Sequence, residues 1–211
     1  VGQDCAVLDF GGDLAVLSTD PITSAGISYL GSLTVHVSCN DAAAAGAEPV
    51  ALLVTLLMPP TGTKEQIGRI ADDLAAAAKA AGVDVIGGHT EVTDAVTRPV
   101  TNACVIARAA RSAVLSGMQK GNDLVMTKWA GLEGTAIIAA DCADRLSALP
   151  GDLLARAAGF TQYLSVAPES RIAMKSGATQ MHDVTEGGVL GAVWEMATAA
   201  GCRARRLTRA M

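Results

Sequence analysis

Short runs in which apolar residues alternate or accumulate predict strands at residues 4–9, 14–18, 50–58, 83–86 and 100–108. Gly11-Gly12-Asp13 separates the first two runs and predicts a hairpin. The run from Val50 to Met58 is apolar almost throughout, is closed by Pro59-Pro60 and has the length of a buried strand. Val83 to Ile86 has the same character and leads directly into Gly87-Gly88-His89-Thr90-Glu91.

Between these runs the period changes from two to nearly four. Ile67, Ile70, Ala71, Leu74, Ala75 and Ala78 fall on one helical face. Thr63 and Gln66 have the spacing of a capping box, and Gly82 supplies a C-terminal stop. Residues 32–46 predict a second helix, which carries His36, Asn40 and Asp41 and ends in an alanine- and glycine-rich run.

A boundary is expected near residues 109–113, which divides the chain into domains 1–110 and 111–211. In the second part Gly117 to Asp123 predicts a turn into a strand, Leu124 to Thr127. Gly131 to Thr135 opens a helix over 136–141. Residues 150–175 are expected to be helical, with Pro168 starting a new helix because proline cannot sit inside one. Thr179 to His182 predicts another strand, and a final helix follows Gly187-Gly188. No internal repeat is visible.

Composition narrows the fold. Half of the residues are apolar but only 3% are aromatic, so the core is built from Ala, Val, Leu and Ile, which favours helix packed on sheet and an α/β (or α+β) class. The net charge of −5 argues against a nucleic-acid surface. The terminal cluster Arg203, Arg205, Arg206 and Arg209 is too short to outweigh it. Five scattered cysteines without a C-x-x-C pair fit the reduced thiols of a cytoplasmic protein. No run is long enough to span a bilayer. The chain starts with Val inside what looks like a motif, so a fragment or an unusual start is expected.

Four segments pair an acidic or amide residue with glycine or a strand end: Gly2-Gln3-Asp4, Thr19-Asp20, Asn40-Asp41 and Gly87-Gly88-His89-Thr90-Glu91. Carboxylates repel a triphosphate unless Mg²⁺ bridges them to it. Two adjacent glycines let backbone amides approach phosphate oxygens. A fifth segment, Asp183 to Gly188, precedes a helix N-terminus, which either binds an anion or is simply capped by Asp183 or Thr185. His89 and His182 are candidate proton carriers. No Cys/His set has zinc-ligand spacing, and no serine sits in a G-x-S-x-G elbow. Cys5 is a poor nucleophile candidate, because the neighbouring Asp4 disfavours its thiolate.

In this order the segments resemble the aminoimidazole ribonucleotide synthase (PurM-like) superfamily. The residues concerned are 2–7, 18–20, Asn40-Asp41 with 46–49, 87–91 and 183–188. Lys128 to Thr135 and Met181 to Gly188 look most like the hydrogenase-maturation branch. The resemblance implies two α/β domains, the first pairing its strands with a second copy in a dimer sheet or barrel, the second incomplete at Met211. It implies ATP and Mg²⁺ in a cleft between domains or subunits. By position Asp4, Asp20 and Asp41 look like metal ligands, with Asp41 and His89 as catalytic candidates. Asn40, Gly87, Gly88, Thr90, Glu91, Asp183, Gly187 and Gly188 look like nucleotide-side residues.

The activity so implied is phosphorylation of an oxygen of a carbamoyl, amide or acid group, carried by a small molecule or a protein. The alternatives are a non-catalytic nucleotide-binding or dimerisation module, and a phosphotransferase like selenophosphate synthetase or thiamine-monophosphate kinase. A cytoplasmic homodimer without nucleic-acid or membrane partners is expected. Departures from the superfamily include Gln3, where several relatives carry a second acid, and His89, where several carry Asp or Glu.

Overall fold

The structure is a computed structural model that describes residues 5–111, 115 and 117–203. Asp4 and most of the terminal arginine cluster lie outside the described residues.

The first half is one sheet covered by two helices. Strands β1 (Ala6–Asp9), β2 (Leu14–Ile22), β3 (Glu48–Met58), β4 (Asp84–Val92) and β5 (Val100–Ala109) lie in the order β1-β2-β5-β3-β4. All neighbours are antiparallel except β3 and β4. This confirms the mixed α/β class, and the sheet of the single chain is open rather than closed into a barrel. Strand β2 continues past Ser18 through Pro21. Among the described residues β1 pairs with Leu14 to Leu17, so Pro21 lies beyond the paired part of β2 on that side, where proline is tolerated.

Helices α1 (Leu30–Ala44) and α2 (Lys64–Ala81) cover one face of the sheet. The core beneath them is aliphatic: Val35, Cys39 and Ala42 of α1 and Leu74, Ala77 and Ala78 of α2 meet Val16, Leu52, Ala103, Val105 and Ala107. A second cluster joins Leu30, Leu56, Met58 and Ile70. The helices cross closely at Gly31, where a Cβ would stand 2.4 Å from the Leu74 amide nitrogen. The capping box of α2 forms as its spacing predicts: Thr63 N–H donates to Gln66 Oε1 at 3.0 Å and Gln66 N–H to Thr63 Oγ1 at 3.2 Å. Gly82 ends the helix in the left-handed region.

Strand β4 differs from expectation. It was expected to be buried, yet all nine of its residues are exposed. Among the described residues it pairs only with β3, at the sheet edge, and the insertion of β5 between β2 and β3 pushes it outward. Exposed Val85, Ile86 and Val92 line this edge.

The second half consists of α3 (Leu132–Asp141), α4 (Gly151–Ala158), α5 (Ala167–Lys175) and α6 (Gly188–Ala199), with 3-10 turns at Ala143–Leu146 and Gly159–Tyr163. Pro168 sits in the first turn of α5, as expected. The strands expected at 124–127 and 179–182 do not form, because no described strand runs alongside either to complete a ladder. Leu124, Val125 and Met126 are left exposed. Trp129, Phe160 and Tyr163 pack as an aromatic cluster with ring centroids 5.8–6.5 Å apart.

Candidate functional site

Helix α1 sits between the sheet and the second half, and adjacent residues of it face each way. Asp41 faces the sheet. It is 6% exposed, and its Oδ2 accepts a 2.5 Å hydrogen bond from Ser18 Oγ of β2. Ser18 and Asp20 are two residues apart on one strand and therefore share the face that meets α1. Burial first, and then the adjoining Asp20 carboxyl, push the Asp41 pKa up to about 8; Ser18 opposes the shift and the charge of Asp183 adds to it. The same burial, with the Asp41 charge, pushes the Cys39 thiol up to about 12, so this cysteine is an inert core residue.

Asp183 approaches from the loop ahead of α6. It is also 6% exposed, and its Oδ2 is buried without a hydrogen-bond partner. An orphaned carboxylate oxygen beside two more carboxylates is costly unless something positive joins it. The following Gly187 and Gly188 both have positive φ, and α6 starts without a side-chain cap, so capping by Asp183 or Thr185, one of the two readings of this segment, does not occur. His182 is 2.9 Å from Glu195 Oε2 through Nε2, and its Nδ1 lies 2.6 Å from the Asp183 carbonyl oxygen.

The structure thus brings Asp20, Asp41 and Asp183 together, from β2, α1 and the second half. The Gly87–Glu91 segment does not join them within one chain. Asp20 pairs across the sheet with Ala103, then Val54, then Gly88, so the segment lies three strand spacings away, about 14 Å. His89 and Glu91 pair with Thr55 and Leu57, on the face turned away from α1 and α2. There His89 Nε2 and Glu91 Oε2 stand 3.5 Å apart, both exposed. Thr90 alternates to the helix face, and Gly88, at φ +150, passes so close to the Val54 carbonyl that a Cβ would collide with it.

Asn40 faces the second half, and its amide is engaged at both ends: Nδ2 donates to the Leu164 carbonyl and Oδ1 accepts from the Val166 N–H, each at 2.8 Å. Sequence reasoning placed Ser18 and Lys128 inside family-like segments without giving either a role, and did not single out Glu169 or Ser170. Lys128, a non-glycine residue at φ 58, donates to the Ser165 carbonyl and lies 3.0 Å from Glu169 Oε1. Ser170 Oγ donates to the Ala43 carbonyl at 2.5 Å. For Ser18 a signal existed, in its i, i+2 relation to Asp20; for the others the partners are too distant in sequence.

The profile of the AIR synthase related protein N-terminal domain matches residues 2–109, and that of the C-terminal domain residues 119–208. The chain belongs to the AIR synthase related family. Within this family it is similar to a carbamoyl dehydratase HypE of Cupriavidus necator, 29% identical over 188 residues, 82% of this chain and 48% of the relative. The chain spans about half the length of that relative. Among solved folds it is similar to "AaThiL complexed with AMPPCP and TMP" (TM-score 0.79, 16% identity, 95% of this chain and 65% of that one). It is also similar to a chain of the HypE-HypF complex (TM-score 0.74, 23% identity, 94% and 65%). These likenesses support the PurM-like fold and the HypE-like branch of the family.

Proposed function

We propose that this chain binds ATP with Mg²⁺ where α1, β2 and the Asp183 loop meet, and uses it to phosphorylate an oxygen of a carbamoyl, amide or acid group. The observation that carries this reading is the convergence of Asp20, Asp41 and Asp183, with an unpartnered buried oxygen on Asp183 and a proton held on Asp41. Three carboxyl groups offer hard oxygen donors, which suit a hard cation, and His182 Nδ1 stands 3.6 Å from Asp183 Oδ1 at their margin. Among the described residues no group of three or more His, Cys, Asp or Glu side chains is arranged to hold a metal ion. Mg²⁺ commonly takes one or two carboxylates and completes its shell with phosphate oxygens and water. When bound, the ion would neutralise charge on the transferring phosphoryl group.

The chain's own residues would do the remaining work. Asp20 and Asp41 would hold the ion, Ser18 would orient Asp41, and the uncapped start of α6 beside Gly187-Gly188 would offer backbone N–H groups to phosphate. Catalysis would rest on positioning, as is usual for phosphoryl transfer. The acceptor would be presented by a small molecule or a protein partner, in keeping with the printed name of the HypE relative and with the HypE-HypF complex.

The Gly87–Glu91 segment would enter the site from a second copy. The exposed β4 edge and its apolar residues favour a homodimer built through the sheet, with His89 and Glu91 facing the partner. In this protein no described helix is long and apolar enough to cross a membrane.

A thermal-shift titration with ATP, with and without Mg²⁺, tests the binding half of the reading. The melting temperature should rise with Mg·ATP, and Asp20→Asn should remove the Mg²⁺-dependent part. Phosphorus NMR of mixtures with carbamoyl, carboxylate and phosphate acceptors tests the chemistry. Transfer to phosphate acceptors alone would point to a phosphotransferase, and Mg²⁺-dependent binding without turnover on any acceptor to a nucleotide-binding module.

A further inference from the structure

The first and second halves are joined at α1 by side chains that reach backbone. Each end of the Asn40 amide meets a group of opposite polarity, so its orientation is fixed: the N–H₂ faces the Leu164 carbonyl and the oxygen faces the Val166 N–H. Asn40 is 9% exposed, so these bonds are shielded from water. One turn further on, Ser170 of α5 closes onto the Ala43 carbonyl. The same segment is also held by Lys128, through the Ser165 carbonyl.

These contacts bear on the carboxylates through chain connectivity. Helix α5 starts at Ala167, directly after the segment that Asn40 grips. Its C-terminal turn is closed by the bond from Ala178 N–H to the Ala173 carbonyl, and the chain then reaches Asp183 within five residues. Asp20 and Asp41 both belong to the first half, and Ser18 ties Asp41 to β2 without a contact from the second. Asp183 meets them only if the second half is seated correctly.

We propose that Asn40 is a positioning residue of the cation and phosphate site: by clamping residues 164–166 to α1 it sets Asp183 opposite Asp20 and Asp41. The proposal rests on the Mg·ATP reading given above. It differs from a phosphate-contacting role for Asn40, since an amide bonded at both ends keeps only one N–H and one lone pair to offer.

The test is a double-mutant cycle on the full chain, with Mg·ATP affinity measured by calorimetry below the melting temperature of every variant. Asn40→Ala and Asp183→Asn should each weaken Mg·ATP about tenfold. If Asn40 acts through Asp183, the double variant should be little weaker than the worse single one. Asn40→Asp keeps the acceptor for Val166 N–H but loses the donor to Leu164, and should fall between wild type and Asn40→Ala. Additive losses, or unchanged affinity in Asn40→Ala, would overturn the proposal. Wild-type protein that binds no Mg·ATP would instead overturn the function on which it rests. The clamp is then judged by hydrogen exchange: Asn40→Ala should expose the amides of 164–170 while those of α3 keep their protection. Unchanged exchange at 164–170 would refute the clamp.

Discussion

Asp41→Asn isolates the energetic consequence of setting a carboxyl group between α1 and the sheet. Asparagine has nearly the same shape and can still accept the Ser18 hydrogen bond, but it has no proton to exchange. In the wild-type protein burial, and then Asp20, raise the Asp41 pKa from 3.8 to about 8. The folded protein therefore keeps a proton that the unfolded chain releases above about pH 4. The stabilisation is fully present below that pH, declines as pH rises and is exhausted above about pH 8. Within the window each pH unit costs up to about 1.4 kcal/mol. Urea unfolding of metal-free protein at pH 5.5 and 7.5 measures it. Across those two units wild type should lose about 2–3 kcal/mol relative to Asp41→Asn, and the subtraction removes groups common to both. Parallel pH profiles for the two proteins would refute the burial argument.

Four further expectations concern the scaffold. Gly31→Ala places a methyl group 2.4 Å from the Leu74 nitrogen, so it should destabilise by about 1–3 kcal/mol or more, read as a lower urea midpoint. Gly68→Ala is the control, since nothing lies within 4 Å of its Cβ, and it should stabilise α2 by about 0.5–1 kcal/mol. Thr63→Ala removes one arm of the capping box and should cost about 1 kcal/mol in the same assay. Gly88→Ala drives a Cβ into the Val54 carbonyl and should free β4 from β3, seen as lost amide protection across 84–92 while α2 stays protected.

What the sequence could show depended on how far apart the interacting residues lie. The capping box, the Gly82 stop, the hairpin and the start of α5 at Pro168 are set by residues a few positions apart, and their geometry follows from local rules. The exposure of β4 follows instead from β5 inserting beside β3, a choice of strand order that no local pattern carries. The short runs at 124–127 and 179–182 suggested strands, but a strand needs a neighbour to satisfy its backbone. At the site, Asp20, Asp41 and Asp183 were visible as isolated acids beside glycine or strand ends. That His89 and Glu91 face away from them turns on the bulge where Leu52 pairs with Val85 and Leu53 with Gly87, which a linear reading cannot register. The amide of Asn40 finds its partners 124 and 126 residues away, which hid its part in joining the two halves.

The most direct test of the central claim is diffraction from crystals grown with Mn²⁺ and a non-hydrolysable ATP analogue, using the anomalous signal of manganese to find the ion. The account predicts a peak in contact with Asp20 or Asp41, within reach of Asp183 and of a phosphate oxygen. A nucleotide bound with its metal away from these three carboxylates would contradict it.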